Sequence, residues 1–246
     1  MPLDAVTAGG STAIAIGVVA GAVTNRVTGL GFSLVCSPVM VLVLGPRDGV
    51  RLLNMVSVAV TLSNVSTGWR DVRWRDWILL VSAGVVCTPL ATWAAHRIDD
   101  GVLLVGAGLV TIASAIVLAT GRVLHSVRGR RGAVGAGAVS ATMNVIAGLS
   151  GPSVAMYGLN AGWTPKELRP TLQTYFLVLN AVAVASLGPV RPPGALAVAI
   201  VAAVLAGLGL GALLAARVPV ARFRTVVLTL VAIGGAFAVG RGLTAS

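Results

Sequence analysis

Thr24-Asn25-Arg26-Val27-Thr28-Gly29-Leu30-Gly31-Phe32-Ser33 interrupts one long apolar stretch of the chain, and Met143-Asn144-Val145-Ile146-Ala147-Gly148-Leu149-Ser150-Gly151-Pro152-Ser153 interrupts another. A shift of 119 positions lays one on the other. Asn25 then meets Asn144, and Gly29-Leu30 meets Gly148-Leu149. The same shift, without a gap, brings Pro46-Arg47-Asp48 onto Pro165-Lys166-Glu167 and Asn54 onto Gln173. Rare residue types recurring in order mark an internal repeat, which raw identity in an Ala/Val/Leu-rich chain would not. Paired, glycine-interrupted apolar segments in two repeats point to the binding site of a membrane transporter.

The rest of the sequence fits that reading. Of 246 residues, 57% are hydrophobic and 10% charged, against about 25% charged in soluble domains. Uncharged runs at 5–25, 52–69, 77–95, 102–121 and 192–216 match the roughly 20 apolar residues that a helix needs to cross a bilayer. The fold class is an all-α polytopic membrane protein with ten apolar segments, at about 8–24, 29–44, 49–68, 76–95, 101–120, 132–147, 151–163, 168–187, 194–216 and 224–240. Gly45-Pro46, Thr164-Pro165 and Pro192-Pro193 stop helices. The short alternating strands of a β-barrel are missing. The net charge of +11 reflects Arg in short loops, not basic runs interleaved with aromatics, so the pattern argues against nucleic-acid binding. Two cysteines inside apolar segments and two loop histidines, His96 and His125, build neither a disulfide framework nor a metal cluster. No cofactor is expected. Asp4 without a basic N-terminal run reads as a retained first segment, not a cleaved signal.

Charge sets the topology. If all ten segments alternate, the 18 Lys and Arg divide thirteen to five. The positive-inside rule then places the thirteen in the cytoplasm and both termini outside. Merging 8–44 and 132–163 into single broken spans destroys the bias. Each pair therefore counts as two passes or as a re-entrant hairpin. Five segments per repeat, an odd number, make the halves 1–125 and 126–246 inverted copies within one integral membrane domain. The expected location is the cytoplasmic membrane, with the lipid bilayer as partner and a homo-oligomer left open.

Candidate binding residues gather at the breaks. Gly29, Gly31, Gly148 and Gly151 free the backbone, and Pro152 suits the first turn of a new helix. A helix starting there presents unpaired N–H groups to an anion. Asn25, Arg26 and Ser33 at the first break, and Asn144, Ser150 and Ser153 at the second, add polar groups. Asn54, Gln173 and Tyr175 join them from the long third segments, where Asn64 and Asn180 are also placed. Each amide read singly is equally a packing hydrogen bond between helices, and Arg26 read singly is a side chain that snorkels to the interface. All seven Asp and Glu lie at termini or loops, so a carboxylate proton relay or cation site is not expected. The polar groups of the core are donors, which suit a small anionic substrate.

These residues resemble the sulfite exporter TauE/SafE family. The resemblance is carried by Gly148-Leu149-Ser150-Gly151-Pro152-Ser153, Tyr157 and Trp163-Thr164-Pro165-Lys166-Glu167-Leu168-Arg169, and by the segment Thr171 to Asn180. In the first half it is carried by Gly29-Leu30-Gly31-Phe32, Gly45-Pro46 and Arg70-Asp71-Val72-Arg73-Trp74, over about 10–240 in all. It implies export of sulfite, organosulfonates or related small anions. The competing readings are an accessory membrane subunit and an enzyme acting on lipid-linked phosphates. An enzyme needs a positioned base, nucleophile or metal, and the sequence offers no such group.

Overall fold

The structure, a computed structural model, describes residues 7–65, 68–120, 129–215 and 220–245. Among them are ten α-helices, one 3-10 turn at Trp69–Asp71 and no strand. The helices are α1 (Ala8–Thr28), α2 (Phe32–Leu44), α3 (Pro46–Val65), α4 (Trp74–Ala95), α5 (Asp100–Thr120), α6 (Gly129–Ala147), α7 (Gly151–Asn160), α8 (Pro165–Leu187), α9 (Gly194–Ala215) and α10 (Val220–Ala245). Every expected segment is a helix. His125, which the sequence assigns to a loop, lies outside the described residues. The acidic residues read as loop groups mostly occupy first helical turns: Asp48, Asp76, Asp100 and Glu167. There a carboxylate meets the positive end of the helix dipole.

The repeat is visible in the helix ends. A shift of 119 carries the end of α1, Thr28, onto the end of α6, Ala147. It carries the start of α2, Phe32, onto Gly151 of α7, and Pro46 of α3 onto Pro165 of α8. The packing repeats as well, with partners exchanged between halves: α1 lies along α9, and α6 along α4. Helices α3 and α8 pack on each other at the centre, as do α5 and α10. Small residues permit these approaches. A Cβ at Gly108 of α5 would stand 2.7 Å from the carbonyl oxygen of Gly235 in α10. One at Gly207 of α9 would stand 2.8 Å from that of Val19 in α1. Close backbone contact through glycine drives helix association where lipid removes the hydrophobic contrast.

Amide side chains are gathered inside, among apolar core residues, while large apolar side chains face outward. Leu90 and Trp93 of α4, Leu109 and Ile116 of α5, and Val198 and Leu205 of α9 are exposed. Asn25, Asn54, Asn64, Asn144, Gln173 and Asn180 are buried. That inversion is the expected arrangement in a hydrocarbon solvent. Among the described residues, five helices (α1, α4, α5, α8 and α9) are long and apolar enough to cross a membrane. By contrast, α2 with 13 residues and α7 with 10 reach only about 20 and 15 Å at 1.5 Å per residue. Neither spans a core of about 30 Å. Each is a half-length helix that starts at a break.

Candidate functional site

Both breaks are made by glycine. Gly29 caps α1 at φ 75° with its N–H on Asn25 O at 2.8 Å, and Gly148 follows α6 at φ 66° with its N–H on Asn144 O at 2.7 Å. Left-handed backbone of this kind costs glycine nothing and other residues about 1 kcal/mol or more. The chain turns, and a new helix begins three or four residues later. Neighbouring hydroxyls satisfy the freed carbonyls. Ser140 Oγ donates to Ser150 O at 2.7 Å, and Ser37 Oγ of α2 donates to Ala147 O at the end of α6.

The two new helix starts face one small cavity. Its walls are Leu30, Gly31, Phe32, Ser33 and Leu34 from the first break, and Leu149, Ser150 and Gly151 from the second. Asn25 of α1, Ser57 and Thr61 of α3, Leu118 of α5, and Phe176 and Asn180 of α8 complete it. Most of these residues are partners under the 119-residue shift: Leu30 with Leu149, Gly31 with Ser150, Phe32 with Gly151, Ser57 with Phe176, and Thr61 with Asn180. The cavity thus lies where the two repeats meet. About 20 Å³ of it is open to the centre of a water molecule, room for a single water or so. The site is closed in this conformation.

The cavity walls carry donors. The first-turn N–H groups of α2 and α7 have no partner four residues earlier in their own helix, and the dipoles place positive ends beside the cavity. Pro152, second in α7, removes one N–H at no cost in helix bonds. Asn25 has its orientation set by its neighbours. Its Oδ1 accepts from Gln173 Nε2 at 3.0 Å and from Asn64 Nδ2 at 3.5 Å. Gln173 Nε2 also donates to Gly29 O at 2.7 Å, and Asn64 Nδ2 to Val60 O at 2.9 Å. Those backbone carbonyls fix which end of each amide is nitrogen. The polar atom of Asn25 left over is its Nδ2 donor. No carboxylate lines the cavity.

Behind the second break lies the counterpart pair. Asn144 Nδ2 donates to Asn54 Oδ1 at 3.0 Å, and Asn54 Nδ2 donates to Val50 O at 2.9 Å. Asn25–Gln173 and Asn144–Asn54 are thus equivalent under the 119-residue shift, and each joins one half to the other.

Of the candidate residues, Asn25, Gly31, Ser33, Ser150 and Gly151 line the cavity. Gly29, Gln173, Asn144, Gly148 and Asn54 stand behind it, forming the turns and the two amide latches. Four residues are not brought to it. Pro152 and Ser153 line a separate, largely apolar groove between α5, α6 and α7. Tyr175 points at α4, where a Cβ at Gly84 would sit 3.4 Å from its hydroxyl. Arg26 lies just outside, with Nη1 donating to Asn64 Oδ1 at 2.7 Å. Ser57 and Thr61 are wall residues that sequence reasoning did not single out. Their signal was present: Asn54, Ser57 and Thr61 share a helix face, and the shift turns them into Gln173, Phe176 and Asn180.

The Thr164-Pro165-Lys166-Glu167 element has a structural part. Thr164 and Glu167 form a capping box at the start of α8, and Arg73 holds Glu167 at 3.1 Å. Among the described residues no group of three or more His, Cys, Asp or Glu could hold a metal ion.

A family model described as "Sulfite exporter TauE/SafE" matches residues 13–238. No curated protein and no solved structure matches the chain.

Proposed function

We propose, for a chain that belongs to the sulfite exporter TauE/SafE family and is a multi-pass membrane transporter protein, that it carries small sulfur oxyanions or sulfonates by alternating access across the closed cavity. The observation that supports this most is the wall itself: two helix N-terminal turns, the Asn25 amide nitrogen and the unpartnered Ser57 hydroxyl face one space without a carboxylate. Positive dipole ends and unpaired N–H groups stabilise an oxyanion, and a broken helix pair at membrane depth is where transporters place such a site.

The two amide latches supply the gating element. Opening Asn25–Gln173 while Asn144–Asn54 stays closed would admit solvent from the side of the first break. The converse would admit it from the side of the second. Inverted repeats give the two states similar energies. The positive-inside reading puts the first break toward the cytoplasm and both termini outside. An interior-negative potential then drives a monovalent anion outward by about 2.3 kcal/mol per 100 mV without a coupled ion.

Purified protein in liposomes, challenged with sulfite, thiosulfate, sulfoacetate, sulfate and chloride, tests the proposal. A saturable current for a sulfur oxyanion or sulfonate is expected. Absence of both current and tracer flux for every anion, with folded protein in the vesicles, would reject it.

A further inference from the structure

The two latches are equivalent, but their surroundings are not. Beside the first break stand two guanidiniums. Arg26, in the last turn of α1, turns Nη1 onto Asn64 Oδ1, and Arg169 of α8 reaches back with Nη2 to Arg26 O at 2.8 Å. Both are thereby drawn to the end of one helix. A Cβ at Gly29 would sit only 2.8 Å from Arg169 Cγ, so the arginine stem packs flat on the turn itself. Under the 119-residue shift Arg26 becomes Val145 and Arg169 becomes Val50, both buried and apolar. The second break has no cation at either position; the arginines nearest it, Arg47 and Arg51, share a small cavity with Val50 and Val145 and are paired with Asp100 and Asp48.

Neither guanidinium pairs with a carboxylate among the described residues. The nearby acids are engaged elsewhere: Asp71 with Lys166 at 3.1 Å, Glu167 with Arg73, and Asp76 with the Trp163 indole at 3.0 Å. Two like charges held at one helix end repel each other, and no protein anion relieves them. A doubly charged anion lying between them would. A guanidinium fork also matches the oxygen spacing of a tetrahedral or pyramidal oxyanion.

We infer that Arg26 and Arg169 form a second anion site, an outer station for divalent oxyanions at the mouth of the first break, from which the anion passes to the cavity. The inference rests on the transport reading for its purpose, but not for its binding chemistry. It places a paired-arginine station at the first break, where the second break carries Val50 and Val145 at the equivalent positions.

The test is equilibrium binding of radiolabelled sulfite and sulfate to the full chain in uncharged phosphatidylcholine nanodiscs. Gly151→Leu fills the cavity, so binding left in that variant reports the station. Station binding is expected to persist in Gly151→Leu and to weaken roughly tenfold as ionic strength rises from low to physiological. Adding Arg26→Gln and Arg169→Gln should abolish it. Arg169→Lys, which keeps the charge and the fold but loses the fork, should retain part of it. Equal binding with and without the two arginines, or no salt-sensitive binding in Gly151→Leu, overturns the station. Failure of the transport reading looks different: salt-sensitive binding survives in Gly151→Leu while wild-type liposomes carry no anion. A station failure with intact wild-type flux leaves transport standing.

Discussion

The two breaks share a left-handed glycine turn, at Gly29 and Gly148, and differ in the direction of one hydrogen bond. At the first, Gln173 donates to Asn25; at the second, Asn144 donates to Asn54. Under the 119-residue shift these bonds run opposite ways. The cause is one methylene. Gln173 is long enough to give its nitrogen to Gly29 O across the helix boundary, and so presents Nε2 to Asn25 as well. Asn54 is shorter and gives its nitrogen to Val50 O in its own helix, which leaves its oxygen for Asn144. Asn25 is left with a spare donor beside the cavity, while Asn144 Oδ1 is left buried without a partner. A repeat thus conserves geometry while its chemistry diverges, and the first break is the better equipped for an anion.

The largest test of that comparison is steric. Gly151→Leu puts a side chain between Leu30 and Phe176, which a Cβ already approaches at 3.4 and 3.7 Å. Its backbone is not left-handed, so the protein should insert and fold while flux falls by roughly 100-fold or more, the weight of a misplaced reacting geometry. Liposome flux beside a size-exclusion profile measures both. Next comes polarity. Asn25→Asp keeps the oxygen that accepts from Gln173, replaces the spare donor by a repelling acceptor and should lower anion flux with little loss of stability, whereas Asn144→Asp loses the nitrogen that donates to Asn54 Oδ1 and should lower flux and thermal stability together. Equal losses of stability would erase the distinction between the breaks. Third is stability. Gln173→Leu leaves Gly29 O and Asn25 Oδ1 short of a donor and should cost about 1–3 kcal/mol. Asn54→Leu strips one buried group, Asn144 Nδ2, of its acceptor where Gln173→Leu strips two of their donor, and should cost less. Thermal melting of the purified variants should rank them in that order. The smallest effect belongs outside the comparison: Lys166→Ala removes a surface ion pair with Asp71 whose lysine is 79% exposed. It should shift stability by less than about 1 kcal/mol.

Most of the architecture was legible because the bilayer writes its demands into composition and punctuation. Ten apolar runs, their Gly and Pro stops and the 119-residue register recover the ten helices of the described residues, and the register even carries the end of α1 and the starts of α2 and α3 onto their partners. The cavity was legible where backbone makes it, at Gly31, Ser33, Ser150 and Gly151. Side-chain direction was harder to read. Tyr175 follows Gln173 by two residues, which turns it about 200° around the helix and away from the latch. Asn54, Asn144 and Gln173 are polar and buried as expected, but sequence does not tell a residue that touches substrate from one that holds a hinge shut. Arg169 entered only the charge count and the family resemblance, because its partner, the end of α1, lies 143 positions away.

The exchanged packing of the halves also constrains how the chain is made. Helix α1 rests on α9: Ala22 abuts Gly207, and Val23 and Arg26 abut Gly211. Ribosomes deliver the N-terminus first, at about 5–20 residues per second. The first helix therefore waits in the bilayer through nearly all of synthesis before its seat exists. Helix α6, by contrast, finds α4 already in place. Helices α1 to α5 are therefore not a unit of assembly: expressed alone they would strand α1, and two halves supplied as separate polypeptides would have to find each other in the membrane before either could settle.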